Sequence, residues 1–126
     1  MSNKILIIDD EPEFRETIRG FLRERGYNII TAGDGEEGLK RIQEDSPDLV
    51  LLDLKMPKKD GYGLLKNIRE NREWVPVIII SALAEPKDIF KGYDFEADYY
   101  LTKPLNLENL LRAVQIMLSL IPLRKK

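Results

Sequence analysis

Apolar residues fall along this chain in two alternating patterns, short unbroken runs and stretches with helical spacing. The runs are Lys4-Ile5-Leu6-Ile7-Ile8, Leu49-Val50-Leu51-Leu52 and Pro76-Val77-Ile78-Ile79-Ile80-Ser81. Such runs suit strands buried on both faces, the pattern of a parallel sheet covered by helices. Pro76 is compatible because it stands at the start of its run. Asn28 to Thr31 and Asp98 to Leu101 read as two shorter strands. Between the strands, Phe14, Ile18, Phe21 and Leu22 recur at helical spacing, with Pro12 in the first turn and Gly26 as a C-cap. Leu39 and Ile42 mark a second helix, opened by Gly33-Asp34-Gly35 and closed by Ser46-Pro47. After a Lys58-Lys59-Asp60-Gly61 loop, Leu64, Leu65 and Ile68 mark a third that stops near Asn71 to Glu73. Glu85 to Tyr93 is a fourth, with Ile89 and Phe90 predicted inward. Asn106 caps a long fifth carrying Leu107, Leu110, Leu111, Val114, Met117, Leu118 and Ile121 until Pro122 ends it. Strand followed by helix, five times, predicts an α/β fold: a five-stranded parallel sheet with right-handed crossovers and helices on both faces.

Composition narrows what this fold can do. The 126 residues suit a single domain, read as residues 1–121, with 122–126 a C-terminal tail or the start of a linker. Lys and Arg number 20 against 22 Asp and Glu, so a net charge of −2 gives no basis for direct nucleic-acid or membrane binding by this domain. No Cys is present, which excludes a disulfide framework and thiolate metal sites. No His is present either, so any phosphohistidine chemistry needs a partner's imidazole. No apolar run has signal-peptide or membrane-span character, and a cytoplasmic protein is the expectation.

Charge placement is more informative than net charge. Asp9 and Asp10 follow the first strand, Asp53 the third, Ser81 ends the fourth and Lys103 follows the fifth. Parallel strands put all of these on one edge, where ligands bind in open α/β sheets. Singly, each has a plainer explanation: an acidic pair caps a helix, an Asp terminates a strand. Their coincidence at one edge favours chemistry. Converging carboxylates repel by about 4 kcal/mol per pair at about 4 Å and an effective dielectric near 20, so a cation belongs among them. Oxygen ligands without His or Cys favour a hard ion, Mg²⁺ with Mn²⁺ as a substitute. Lys103 adds a second positive charge. An ionised Asp is a covalent phosphoryl acceptor, and phosphoryl transfer needs mainly positioning and charge neutralisation. Mg²⁺, Lys103 and the Ser81 hydroxyl would each take one phosphoryl oxygen.

These residues carry a resemblance. Asp9-Asp10, Asp53-Leu54-Lys55-Met56-Pro57 with Gly61 beyond, Ser81-Ala82 and Lys103-Pro104 resemble, in order and spacing, the motifs of receiver domains of two-component response regulators. The similarity runs from about Lys4 to Leu120. It implies the flavodoxin-like strand order 2-1-3-4-5, phosphorylation of Asp53, and Mg²⁺ ligation directly by Asp10 and through water by Asp9. It also implies ligation by Asp53 and by the Lys55 main-chain carbonyl, a cis Lys103-Pro104 bond, and Lys103 as phosphoryl holder. Ser81 and Tyr100 would form the switch: the hydroxyl moves towards the phosphoryl group, the ring turns inward, and the surface of the fourth helix, fifth strand and fifth helix changes. Serine stands where threonine is more frequent, which removes a methyl that crowds the ring. The partners implied are a sensor histidine kinase or histidine phosphotransfer protein, and a downstream effector domain or target. Such a domain is not an enzyme in the usual sense, catalysing only its own phosphorylation and slow autodephosphorylation.

Two positions depart from a fast-cycling receiver. Lys55 and Leu83 flank the path of the attacking water in relatives, and their bulk here predicts a phospho-Asp53 that lasts minutes to hours. The last helix is more apolar than one buried face requires, and Ile116, Leu120 or Ile121 would suit a homodimer or partner face. Other readings fare worse. A phosphatase of the haloacid dehalogenase type wants a second Asp where Lys55 stands, and Asp9-Asp10-Glu11 would repel the phosphate of a flavodoxin-type cofactor. An unphosphorylated interaction module would not need every chemical position intact.

Overall fold

A computed structural model of the chain describes residues 3–55, 61–71 and 74–120. The Pro57 turn, the Lys58-Lys59-Asp60 loop, Ile121, Pro122 and the tail lie outside the described residues. The elements alternate as β1 (Lys4–Ile8), α1 (Pro12–Arg23), β2 (Asn28–Ala32), α2 (Gly35–Asp45), β3 (Leu49–Leu52), α3 (Gly61–Glu70), β4 (Val77–Ser81), α4 (Pro86–Asp94), β5 (Tyr99–Thr102) and α5 (Leu107–Ser119). The five strands form one parallel sheet in the order β2-β1-β3-β4-β5.

Successive strand residues face opposite sides, so each apolar run serves two cores. Ile5, Ile7, Leu49, Leu51, Ile78 and Ile80 point to the side covered by α1 and α5, meeting Ile18, Leu22, Leu110, Val114 and Met117. Leu6, Ile8, Val50, Leu52, Val77 and Ile79 point to the other, meeting Ile42, Leu64, Leu65 and Ile68 of α2 and α3. β1, β3 and β4 are buried almost throughout, whereas the edge strands β2 and β5 alternate with exposed positions. The unbroken runs are therefore the central strands, and the shorter, more polar segments are the edges.

Local signals place most helix ends. Pro12 opens α1, and the Asp34 carboxylate accepts from Glu37 N at 2.9 Å at the start of α2. Ser46, in the left-handed region at φ 46°, closes α2, and Asn106 Oδ1 accepts from Asn109 N at 3.0 Å at the start of α5. Gly26 carries the positive φ of 93° expected of a glycine stop, but α1 ends at Arg23 and Gly26 turns the chain into β2.

One inward assignment is corrected. Phe90 points to solvent at 75% exposure, while Ile89 packs against the core and Gly92 is the buried residue of α4. A Cβ at Gly92 would stand 2.9 Å from Ile79 Cδ1 and 3.0 Å from the Tyr100 ring. At this position the helix lies so close to β4 and β5 that only glycine fits. Once Ile89 and Gly92, three positions apart, face the sheet, Phe90 is rotated away from it.

Candidate metal centre and its lysine

The candidate residues stand at the carboxyl edge because the sheet ladder continues one residue beyond its strands. Asp9 N donates to Ala32 O at 3.1 Å, Asp53 N to Ile8 O at 3.0 Å and Lys103 N to Ser81 O at 2.8 Å. Each side chain is thus fixed at its root by backbone bonding. The chain after β3 returns at Gly61, where a Cβ would lie 2.5 Å from Leu54 Cα and 2.8 Å from Asp53 O. A residue with no side chain is what allows α3 to start against the end of β3.

One carboxylate oxygen from each of Asp9, Asp10 and Asp53 lies within 4.8 Å of the others. Asp9 and Asp53 are buried, at 2% and 5% exposure, and Asp10 is more open to solvent. Asp9 Oδ1 accepts from Glu11 N at 2.9 Å and Asp53 Oδ1 from Lys55 N at 3.2 Å. Burial pushes the Asp9 carboxyl above its ordinary pKa, against the opposing pull of the Glu11 N–H and Lys103. Asp53 is pushed up by burial and then by the charge of Asp9, with the Lys55 N–H and Lys103 opposing. This donor set fits a hard divalent cation: oxygen only, clustered, and electrostatically unfavourable without positive charge. Among the described residues it is the only such cluster of potential metal ligands.

Lys103 is the positive charge present. Its Nζ lies 3.0 Å from Glu11 Oε1, 3.3 Å from Asp9 Oδ2 and 3.5 Å from Asp53 Oδ2, and 4.1 Å from the centre of the Phe14 ring. Burial would lower its pKa, but Glu11, Asp53 and Asp9 outweigh that and hold it above the ordinary lysine value. The Lys103-Pro104 peptide bond is cis.

Ser81 is fully buried, and its Oγ accepts from Leu83 N at 3.1 Å. The Tyr100 hydroxyl donates to Leu83 O at 2.6 Å, and burial pushes its pKa up to about 12. The Tyr100 ring is already inward, at 9% exposure beside Gly92, so Ser81 and Tyr100 meet through the Leu83 backbone. The Leu83 side chain packs against the α2–α3 side of the core, and Lys55 is exposed. On the outer face, Phe90, Tyr93, Tyr99, Ile116 and Leu120 are all exposed.

Glu11 and Phe14 contact the Lys103 ammonium and Gly92 packs beside Tyr100, although their positions in the sequence suggest only a loop acid, a core aromatic and nothing at all. The acidic run Asp9-Asp10-Glu11 was the one signal available for Glu11. Away from the site, an open cavity of about 320 Å³ lined by Arg69, Trp74, Glu96, Ala97 and Asp98 lies at the amino edge. No helix of the described residues is long and apolar enough to cross a membrane.

Comparison with known proteins agrees with this geometry. A family model described as the response regulator receiver domain matches residues 5–115. The probable transcriptional regulator ycf27 of Guillardia theta is 42% identical over 114 residues, covering 88% of this chain and 44% of that protein. The alkaline phosphatase synthesis transcriptional regulatory protein PhoP of Bacillus subtilis is 36% identical over 118 residues, covering 94% of this chain and 49% of that protein. This chain thus spans about half the length of such relatives. Among solved structures, the receiver domain of Francisella response regulator 1452 is 34% identical with a TM-score of 0.91, covering 94% of this chain and 98% of that one. A CheY-like receiver domain protein from Methanospirillum hungatei is 27% identical with a TM-score of 0.91, covering 97% and 98%.

Proposed function

The chain belongs to the receiver-domain family of two-component response regulators, and on that premise we propose that it accepts a phosphoryl group on Asp53 from a partner's phosphohistidine. An Asp53 carboxylate oxygen attacks phosphorus, the phosphorus–nitrogen bond breaks, and its electron pair returns to the partner's imidazole. Asp9, Asp10, Asp53 and the Lys55 main-chain carbonyl would hold Mg²⁺. Bound there, the ion supplies neutralisation of the negative charge on the phosphoryl oxygens. Lys103 supplies an ammonium for another oxygen and Ser81 a hydroxyl. The domain modifies itself and turns over no external substrate.

The observation that carries this reading is the convergence of Asp9, Asp10 and Asp53 within 4.8 Å, with the Lys103 ammonium 3.5 Å from Asp53. The donor is a sensor histidine kinase or histidine phosphotransfer protein. The output passes through the face of α4, β5 and α5, coupled by Ser81, Leu83 and Tyr100, to an effector domain or separate target. Relatives of twice the length that are named as transcriptional regulators favour an effector domain that controls transcription.

Wild type and Asp53→Asn, incubated with a small-molecule phosphodonor and Mg²⁺ and then weighed by mass spectrometry, test the assignment. A phosphate-sized gain is expected in wild type and none in the variant; equal gains would defeat Asp53 as acceptor. After donor removal, a wild-type signal decaying over minutes to hours is expected from Lys55 and Leu83. Decay within seconds at neutral pH would remove those two residues from any role in its lifetime.

A further inference from the structure

Lys103 faces more negative charge than one ammonium can neutralise, and its contacts are unequal. The shortest, 3.0 Å, goes to Glu11, which is 63% exposed, whereas the contacts to Asp9 and Asp53, at 2% and 5%, are 3.3 Å and 3.5 Å. The Phe14 ring lies 4.1 Å from the same ammonium and offers it a π face on the α1 side. Glu11 is rooted here by its own backbone: it is the N-cap of α1, and its N–H donates to Asp9 Oδ1 at 2.9 Å. Glu11 and Phe14 therefore draw the ammonium towards α1, leaving Asp53 the longest of its three carboxylate contacts.

A phosphoryl group on Asp53 brings new oxygens that need the same ammonium. We propose that Glu11 is a positioning residue that holds Lys103 on the α1 side and so sets how readily the lysine shifts to an anion bound at Asp53. The inference rests on the receiver reading above and adds to it a competitor for the lysine. Its size follows from exposure. A carboxylate that stays largely in water gives up its partner at small cost, so the competition is a modest adjustment and not a lock.

The test is binding of beryllofluoride, a phosphoryl mimic, in saturating Mg²⁺ to the full chain as wild type, Glu11→Gln and Glu11→Asp. Titration calorimetry gives the affinity, and the Lys103 Cε–Hε nuclear magnetic resonance signals report on the ammonium in the free proteins. Glu11→Gln removes the charge; Glu11→Asp keeps the charge but shortens the arm that reaches Lys103. Both are expected to bind the mimic about twofold to fivefold more tightly, the range an exposed ion pair is worth, and both to shift the Lys103 signals. If only Glu11→Gln gains affinity, the effect is bulk charge at the site and the positioning role is overturned. If wild type binds and both variants match it, the inference fails and the receiver reading stands. If wild type itself does not bind, both fail together.

Discussion

Two clusters of buried charge occupy opposite edges of the same sheet, and they are built on opposite principles. At the amino edge, Arg69 Nη2 donates to Asp98 Oδ2 at 2.8 Å and to Glu96 O at 2.9 Å, while Nη1 donates to Val75 O at 2.7 Å. The same Asp98 oxygen accepts from Val77 N at 2.8 Å. One positive and one negative group, at 6% and 16% exposure, are joined by short bonds that tie the end of α3 to the starts of β4 and β5. At the carboxyl edge, Lys103 makes longer contacts of 3.0 to 3.5 Å to three carboxylates, and Asp10 adds a fourth acid. In the first cluster the Arg69 charge meets the Asp98 charge directly and at short range. The second carries surplus negative charge, which makes it a poor structural element and a good receptor for a cation. The difference teaches that buried charge marks function when it is left unbalanced, not merely when it is buried.

The largest expected effect tests the amino-edge cluster. Arg69→Met removes the guanidinium paired with Asp98 and takes that donor from the Val75 and Glu96 carbonyls. A loss of about 3–5 kcal/mol of unfolding free energy is expected, read from denaturant titration. A loss under about 1 kcal/mol would mean that the amino edge is no tighter than the carboxyl edge, and the comparison would collapse.

The opposite sign is expected at the carboxyl-edge cluster. With divalent ions chelated, Asp53→Asn relieves repulsion and should raise stability on the order of 1 kcal/mol at neutral pH. The pH dependence follows from the raised pKa of Asp53. Its folded value lies above the ordinary carboxyl value, so the carboxyl contributes fully below that ordinary value, where it is protonated in both states, and its contribution is lost as pH rises through the folded pKa. The advantage of Asp53→Asn over wild type should therefore be absent in strong acid and grow with rising pH. Thermal unfolding across pH checks it, and an advantage that shrinks instead would show that Asp53 is favourably paired.

The smallest effect is expected where neither principle applies. Arg41 and Asp45 pair on the surface of α2 at 3.5 Å, with 42% and 30% exposure. Asp45→Asn should cost no more than about 0.5 kcal/mol by denaturant titration. A larger loss would sharpen the contrast wrongly, placing surface pairs alongside the amino-edge latch.

Much of this was legible along the chain. The apolar runs of β1, β3 and β4 announced doubly buried strands, and once the strands were parallel, Asp9, Asp10, Asp53, Ser81 and Lys103 had to share an edge. Strand order did not follow from periodicity, because every βα unit has the same pattern; it came with the family resemblance. α4 was the least legible element. Of its two inward positions Ile89 follows the apolar pattern, but Gly92 carries no hydrophobic signal, and the pattern names the exposed Phe90 in its place.

What the sequence determined by itself is which residues end each strand, and therefore which acids and which lysine stand at the site. That follows from local rules of alternation, turn chemistry and the shared direction of parallel strands. Only the tertiary structure decided how those groups divide their partners. Glu11 and Lys103 are 92 positions apart, on segments following strands that β3 and β4 separate in the sheet, and they meet because a long side chain crosses that gap. Likewise the Tyr100 ring lies inward because Gly92 of another element leaves it room and Leu83 O accepts its hydroxyl. Contacts of this kind depend on distances between elements, which no local pattern encodes.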